Sequence, residues 1–191
     1  MKSLNKVNLG FDISTSIIGI SLFKDSEFYK LYFIDLTKTK DYFEKAKKVK
    51  QFIYNMIVQG MLEVQNVYIE DILQSFSRGM SSAKTIIQLA RFNGIVSNII
   101  YELTKCTPVY LNVISARKLL GIKIDKNSNK DKKEQIMEWV DHDLGIEYDW
   151  PTKIISRGKN KGDVKFEKYC YDMADAYVIC KAGIKNVIQD T

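Results

Sequence analysis

Four carboxylates fall where a chain of alternating strands and helices could bring them together. Asp12 lies in the run Val7 to Ser14, whose alternation puts Val7, Leu9, Phe11 and Ile13 on one face and Asn8, Gly10, Asp12 and Ser14 on the other. A carboxylate on an otherwise apolar strand is costly unless it meets a cation. The β-rich run Val67-Tyr68-Ile69 ends at Glu70 and Asp71. Alternation sends those two to opposite faces, so only one can serve, and either is open on pattern alone. Asp172 and Asp175 stand three apart on a helical run and therefore share a helix face, opposite a packing face of Met173, Tyr177, Cys180 and Ile184. Close carboxylates repel and resist ionisation unless a divalent ion sits between them. Oxygen-only ligands select hard ions, Mg²⁺ or Mn²⁺, and two such ions roughly 4 Å apart can activate water and stabilise the leaving oxygen of a phosphodiester. The plainer readings are a strand-end cap for Asp12 and a solvated pair for Asp172 and Asp175.

Composition narrows the chemistry further. His142 is the only histidine, so a catalytic triad or a histidine-rich zinc site is hard to build. Cys106, Cys170 and Cys180 lack zinc-finger or CxxC spacing, which suits buried free thiols in a reducing compartment. The net charge is +6, with basic residues clustered at Lys38 to Lys50, Arg117 to Lys133 and Lys153 to Lys168. Such clusters suit a polyanion, nucleic acid ahead of membrane, although a solvated basic surface would look the same. No apolar run is long enough to cross a bilayer, and Met1 to Gly10 lacks a signal segment. The expectation is an intracellular protein, in a bacterium or a virus-infected cell, with no membrane partner.

The elements that must hold these residues follow from periodicity. Three strands, Val7 to Ser14, Ile17 to Phe23 and Glu27 to Asp35, have short polar joints that suit an antiparallel meander. An amphipathic helix covers Lys40 to Met61, and a buried parallel strand covers Val64 to Glu70. The longest helical pattern, Ser81 to Leu103, is apolar over a wide arc and must be covered on more than one side, by the sheet and either the same subunit or a second one. Then come a strand at Val109 to Val113, a short helix at Ser115 to Leu120, a polar loop, a helix at Lys132 to Leu144, an irregular stretch at Ile146 to Val164, and a last helix at Phe166 to Ile184. With 191 residues and no linker or repeat, residues 1–191 read as one α/β domain, a mixed five-stranded sheet with helices on both faces.

Several of these segments resemble the RuvC-type Holliday-junction resolvases, including their bacteriophage and poxvirus relatives, within the RNase H-like superfamily. Gly10-Phe11-Asp12-Ile13-Ser14 with Ile18-Gly19-Ile20-Ser21 is similar to the family's first two strands. Val67-Tyr68-Ile69-Glu70-Asp71 resembles the strand carrying its glutamate, which favours Glu70 over Asp71, and Tyr171-Asp172-Met173-Ala174-Asp175-Ala176 resembles its closing D-x-x-D-A helix. The resemblance implies an RNase H-like sheet, a three-stranded antiparallel meander plus two parallel strands. It also implies a homodimer that nicks four-way DNA symmetrically and leaves 5′-phosphate ends: a crossover junction endodeoxyribonuclease. Asp12, Glu70, Asp172 and Asp175 would hold two Mg²⁺ ions, with Mn²⁺ able to substitute and no small-molecule cofactor. Arg117 and Lys118 resemble a basic turn, and Lys133, with Lys132 as its rival, resembles the basic residue of a late helix; all could touch phosphate near the cut. Phe76 stands where relatives place an aromatic wedge against junction bases, unless it simply packs, and Arg78 joins the DNA-binding set. Ser14 replaces the Pro-Gly of many bacterial members and the insert Lys153 to Lys168 is longer, which puts partner proteins and cut-site preference in question.

Other readings remain at this stage. An RNase H-like nuclease could act on other branched DNA or on RNA–DNA hybrids, and a non-catalytic DNA-binding module would keep the basic runs. Sugar kinases and actin-like ATPases also open with a strand aspartate and a small-residue turn, but they need two such domains and glycine-rich phosphate loops, which this chain lacks.

Overall fold

In the computed structural model of the chain, the described residues are 4–72, 83–145, 148–158 and 161–189. The meander predicted from alternation forms β1 (Asn5–Ile13), β2 (Ile17–Lys24) and β3 (Glu27–Asp35). The β1–β2 turn is tight because the Ser14 hydroxyl accepts from the Ile17 N–H at 3.0 Å and donates to the Ile17 carbonyl at 2.7 Å. Helix α1 (Tyr42–Gly60) starts at Asp41, whose carboxylate caps the Phe43 and Glu44 N–H groups. The chain then returns as β4 (Leu62–Glu70), parallel to β1, and after α2 (Ala83–Thr104) as the short β5 (Val109–Leu111), parallel to β4. The sheet order is β3-β2-β1-β4-β5, the mixed five-stranded arrangement expected from the sequence.

Helix α3 (Val113–Leu119) begins earlier than the sequence pattern suggests. Asn112 accepts from the Ile114 and Ser115 N–H groups and ends the preceding strand two residues short of its expected length. Helix α4 (Lys132–Leu144) carries a full capping box from Asp131 and Glu134 and stops at Gly145, whose φ is 62°. The stretch expected to be irregular contains a small antiparallel hairpin, β6 (Thr152–Ile154) and β7 (Val164–Phe166). Helix α5 (Lys168–Gln189) closes the chain.

The two faces of the sheet define two cores. Val7, Leu9, Phe11, Val67 and Ile69 pack with Val49 and Ile53 of α1 and Phe92, Val96 and Ile100 of α2. On the other face Tyr68 packs with α5, which is itself covered by Ile136, Met137 and Val140 of α4 and by Val113 and Ala116 of α3. Residues 173–180 of α5 are all buried, so this helix is the central one, sandwiched between the sheet and a second layer. Cys180, expected on the packing face of this helix, is buried against Gly10 of the sheet. The three cysteines are free, with Cys170 and Cys180 buried. Among the described residues no helix is long and apolar enough to cross a membrane.

Candidate active site

The close approach of α5 to β1 and β2 builds the site. Glycine at position 10 lets the Ala176 carbonyl come in, since a Cβ there would lie 2.5 Å from that oxygen. A Cβ on Gly19 would lie 2.0 Å from the Asp172 carbonyl oxygen. The buried Ser21 hydroxyl donates to the Ala176 carbonyl at 2.7 Å. Gly19 is also the register partner of Asp12 across the β1–β2 pair. The same contact that seats α5 therefore brings Asp172 over Asp12.

Glu70 reaches this place by register. β1 and β4 pair in parallel with Phe11 opposite Ile69, so one residue further along lie Asp12 and Glu70, on the face shared with Gly10 and Tyr68. Asp71 lies beyond β4, its N–H donating to the Leu111 carbonyl at 2.9 Å. Asp175, one turn along α5 from Asp172, is buried. Lys45 of α1 ties down the β1–β2 turn, its ammonium donating to the Thr15 carbonyl at 2.5 Å.

The four acidic groups feel one another. Burial, then the charges of Glu70, Asp175 and Asp172, pushes the Asp12 carboxyl well above its ordinary range, with Lys133 pulling weakly the other way. Burial, then Asp175, raises Glu70 to about 7 against the opposing pull of Arg117, Lys133 and Lys132. Burial also raises Asp172, opposed first by Lys133, whose ammonium lies 3.8 Å from its carboxylate. Lys132, partly desolvated and repelled by Arg117, is held below the ordinary lysine range. Arg117 of α3 crosses 58 residues of sequence to donate to Asp175 Oδ1 at 3.0 Å, with both side chains about nine-tenths buried.

The structure thus brings together Asp12, Glu70, Asp172 and Asp175, and places Arg117, Lys132 and Lys133 among them. Both lysines of the rival pair bear on the cluster, Lys133 on Asp172 and Lys132 on the side of Glu70 and Asp175. Lys118 is exposed and lines a cavity of about 520 Å³ beside Arg117. Phe76 and Arg78 lie outside the described residues. The sequence reading missed Gly10, Gly19 and Ser21 as the residues that seat α5. A small-residue pattern on facing strands was the available signal, but its partner is set only by tertiary contact.

The donor set is oxygen only, mutually repulsive and partly desolvated, which fits a hard divalent cation. Among the described residues, however, no group of three or more His, Cys, Asp or Glu side chains is placed to hold a metal ion as they stand, and one oxygen of Asp175 is taken by Arg117. The fit is therefore one of donor chemistry, with Arg117 paired to one of the four carboxylates.

No family model and no curated protein matches the sequence. Solved structures do resemble it in fold. Thermus thermophilus RuvC in complex with a Holliday-junction substrate superposes with a TM-score of 0.62 at 12% identity, covering 96% of each chain. A second Thermus thermophilus RuvC structure gives 0.60 at 14% identity over 97% of both chains. The yeast mitochondrial Holliday-junction resolvase Ydc2 gives 0.56 at 14% identity, over 97% of this chain and 80% of that one. The chain therefore shares its fold with these RuvC and Ydc2 structures, a mixed five-stranded sheet with its last helix packed against the first two strands.

Proposed function

We propose that this protein is a Holliday-junction resolvase, a metal-dependent endonuclease that nicks four-way DNA symmetrically and leaves 5′-phosphate ends. The observation that carries the reading is the convergence of Asp12, Glu70, Asp172 and Asp175 at the seat of α5, with Arg117, Lys132 and Lys133 beside them. The resemblance in fold to two resolvases, one solved with a junction, supports four-way DNA as the substrate.

Asp12, Glu70, Asp172 and Asp175 would hold the Mg²⁺ ions, for which Mn²⁺ can substitute. Bound there, such ions supply an activated water and a Lewis acid for the leaving oxygen. Asp12 and Glu70, on neighbouring strands, would hold the ions from the sheet side. Asp172 and Asp175 would hold them from α5. Lys133 and Lys132 orient the DNA backbone and offset the charge that builds on the phosphate in the transition state. Lys118 extends the basic surface outward along α3, and Phe76 and Arg78 belong to the proposed DNA contact. Two such sites, one per protomer of a homodimer, would make the paired nicks.

The test is a gel assay of the purified protein with Mg²⁺ on four-way junctions, flaps, forks and RNA–DNA hybrids. Four-way junctions are expected to be cut fastest, with paired nicks. Asp12→Asn should lose roughly a hundredfold or more of the metal-dependent cutting while still binding junctions. Full cutting by Asp12→Asn would contradict the assignment. Preference for hybrids would move the substrate but leave the site in place.

A further inference from the structure

Arg117 pairs with one of the four carboxylates that the proposed nuclease would use to hold metal. Its guanidinium and the Asp175 carboxylate are both about nine-tenths buried and 3.0 Å apart. Its Nε is buried with no hydrogen-bond partner among the described residues. A half-satisfied buried guanidinium is costly, and so is an uncompensated cluster of carboxylates. The two costs offset each other in the pair, where Arg117 adds a buried positive charge to those of Lys132 and Lys133. Arg117 also has somewhere else to go. It lines an open cavity of about 520 Å³ with Ile114, Lys118, Ile122, Ile124 and Lys132, on the basic side of the site.

We propose that Arg117 is an internal counter-ion that competes with divalent metal for Asp175, pairing with it in the metal-free protein and yielding it when a cation binds. On release its guanidinium turns into the neighbouring cavity, where it faces DNA phosphate. The proposal rests on the metal-site reading above. Pairing and metal ligation draw on the same carboxylate, and the guanidinium charge repels an incoming cation, so each disfavours the other. The metal-free pairing therefore lowers the apparent metal affinity. In exchange, the acidic groups stay assembled without metal, and the arginine becomes free for phosphate as the site loads.

The experiment is Mn²⁺ binding to the full chain without DNA, by calorimetry or electron paramagnetic resonance. Arg117→Met is expected to bind Mn²⁺ roughly fivefold or more tightly than wild type, with Arg117→Lys in between. The melting temperature of metal-free Arg117→Met should fall below that of wild type, and most of the gap should close at saturating Mn²⁺. A wild-type measurement guards against a variant that does not fold. Phenylglyoxal labelling of Arg117, read by mass spectrometry, should be slow without metal and faster at saturating Mg²⁺. Equal or weaker Mn²⁺ binding by folded Arg117→Met, or labelling that does not rise with metal, overturns the exchange. No Mn²⁺ binding by wild type removes the metal-site reading and the exchange with it. Metal binding indifferent to Arg117 removes the exchange alone.

Discussion

Asp12 and Glu70 lie side by side on parallel strands, and neither wants its charge. Both carboxyls are raised, Glu70 to about 7. A group whose folded value exceeds its unfolded one stabilises the protein fully below the unfolded value and loses that contribution as pH rises through the folded one. The window for Glu70 runs from its ordinary 4.5 to about 7. Metal-free protein is therefore expected to lose roughly 5 °C of melting temperature across that range, and saturating Mg²⁺ should abolish most of the loss. Calorimetry with and without Mg²⁺ checks this, and a flat profile in metal-free buffer would count against the coupled carboxylates. At this scale the sequence was legible in part. Alternation along Val7 to Ser14 put Asp12 on the Gly10 face, which is the face α5 covers. Alternation left Glu70 and Asp71 unresolved, because the choice depends on which face of β4 meets α5, a non-local fact fixed by the register with β1. The Arg117–Asp175 pair was not legible either, since nothing local marks a contact across 58 residues.

At the scale of elements, the site depends on α5 lying almost in contact with the backbone of β1 and β2. Gly19→Ala would put a methyl group 2.0 Å from the Asp172 carbonyl oxygen, and backbone cannot swing aside as a side-chain tip can. The expected cost is about 1–3 kcal/mol in denaturant unfolding, together with weakened Mn²⁺ binding because Asp172 is displaced from Asp12. Wild-type stability and metal affinity in Gly19→Ala would show that the close approach does not set the site. Boundaries were readable where local chemistry fixes them. Helix α4 runs from Lys132 to Leu144, as its capping residues Asp131 and Glu134 and the following Gly145 require. The β6–β7 hairpin was missed because its strands are three residues each and mostly exposed, so burial leaves no periodic imprint on them. The early start of α3 was missed because the β-branched Val113 reads as strand, although Asn112 before it is a good cap.

At the scale of the whole molecule, two features bear on how it meets DNA. The first half of α2 leaves apolar surface uncovered: Ile87 is 49% exposed and Gly94 faces open space, while Phe92 and Val96 are buried against the sheet side. Most of the wide apolar arc expected from the sequence is covered within the chain, and Ile87 is the part of it left exposed for the proposed second protomer. Sedimentation at micromolar concentration is expected to show a dimer, which Ile87→Glu should weaken; a wild-type monomer would argue against paired active sites. The second feature is charge. With a net charge of +6 and Lys118, Lys132 and Lys133 near the acidic cluster, junction affinity should fall roughly a hundredfold or more between 50 and 200 mM salt, as neutralised phosphates take back their counterions. Fold class and the make-up of the sheet, a meander plus two parallel strands, were legible at this scale because strand and helix periods alternate cleanly; the strand order and the central burial of α5 were not, since both follow from tertiary contacts. The most direct test of the metal site is anomalous diffraction from crystals soaked in Mn²⁺. Anomalous peaks are expected among the carboxylates of Asp12, Glu70, Asp172 and Asp175, with Arg117 withdrawn from Asp175. Manganese bound only elsewhere, or a cluster still closed by Arg117 at saturating Mn²⁺, would contradict it.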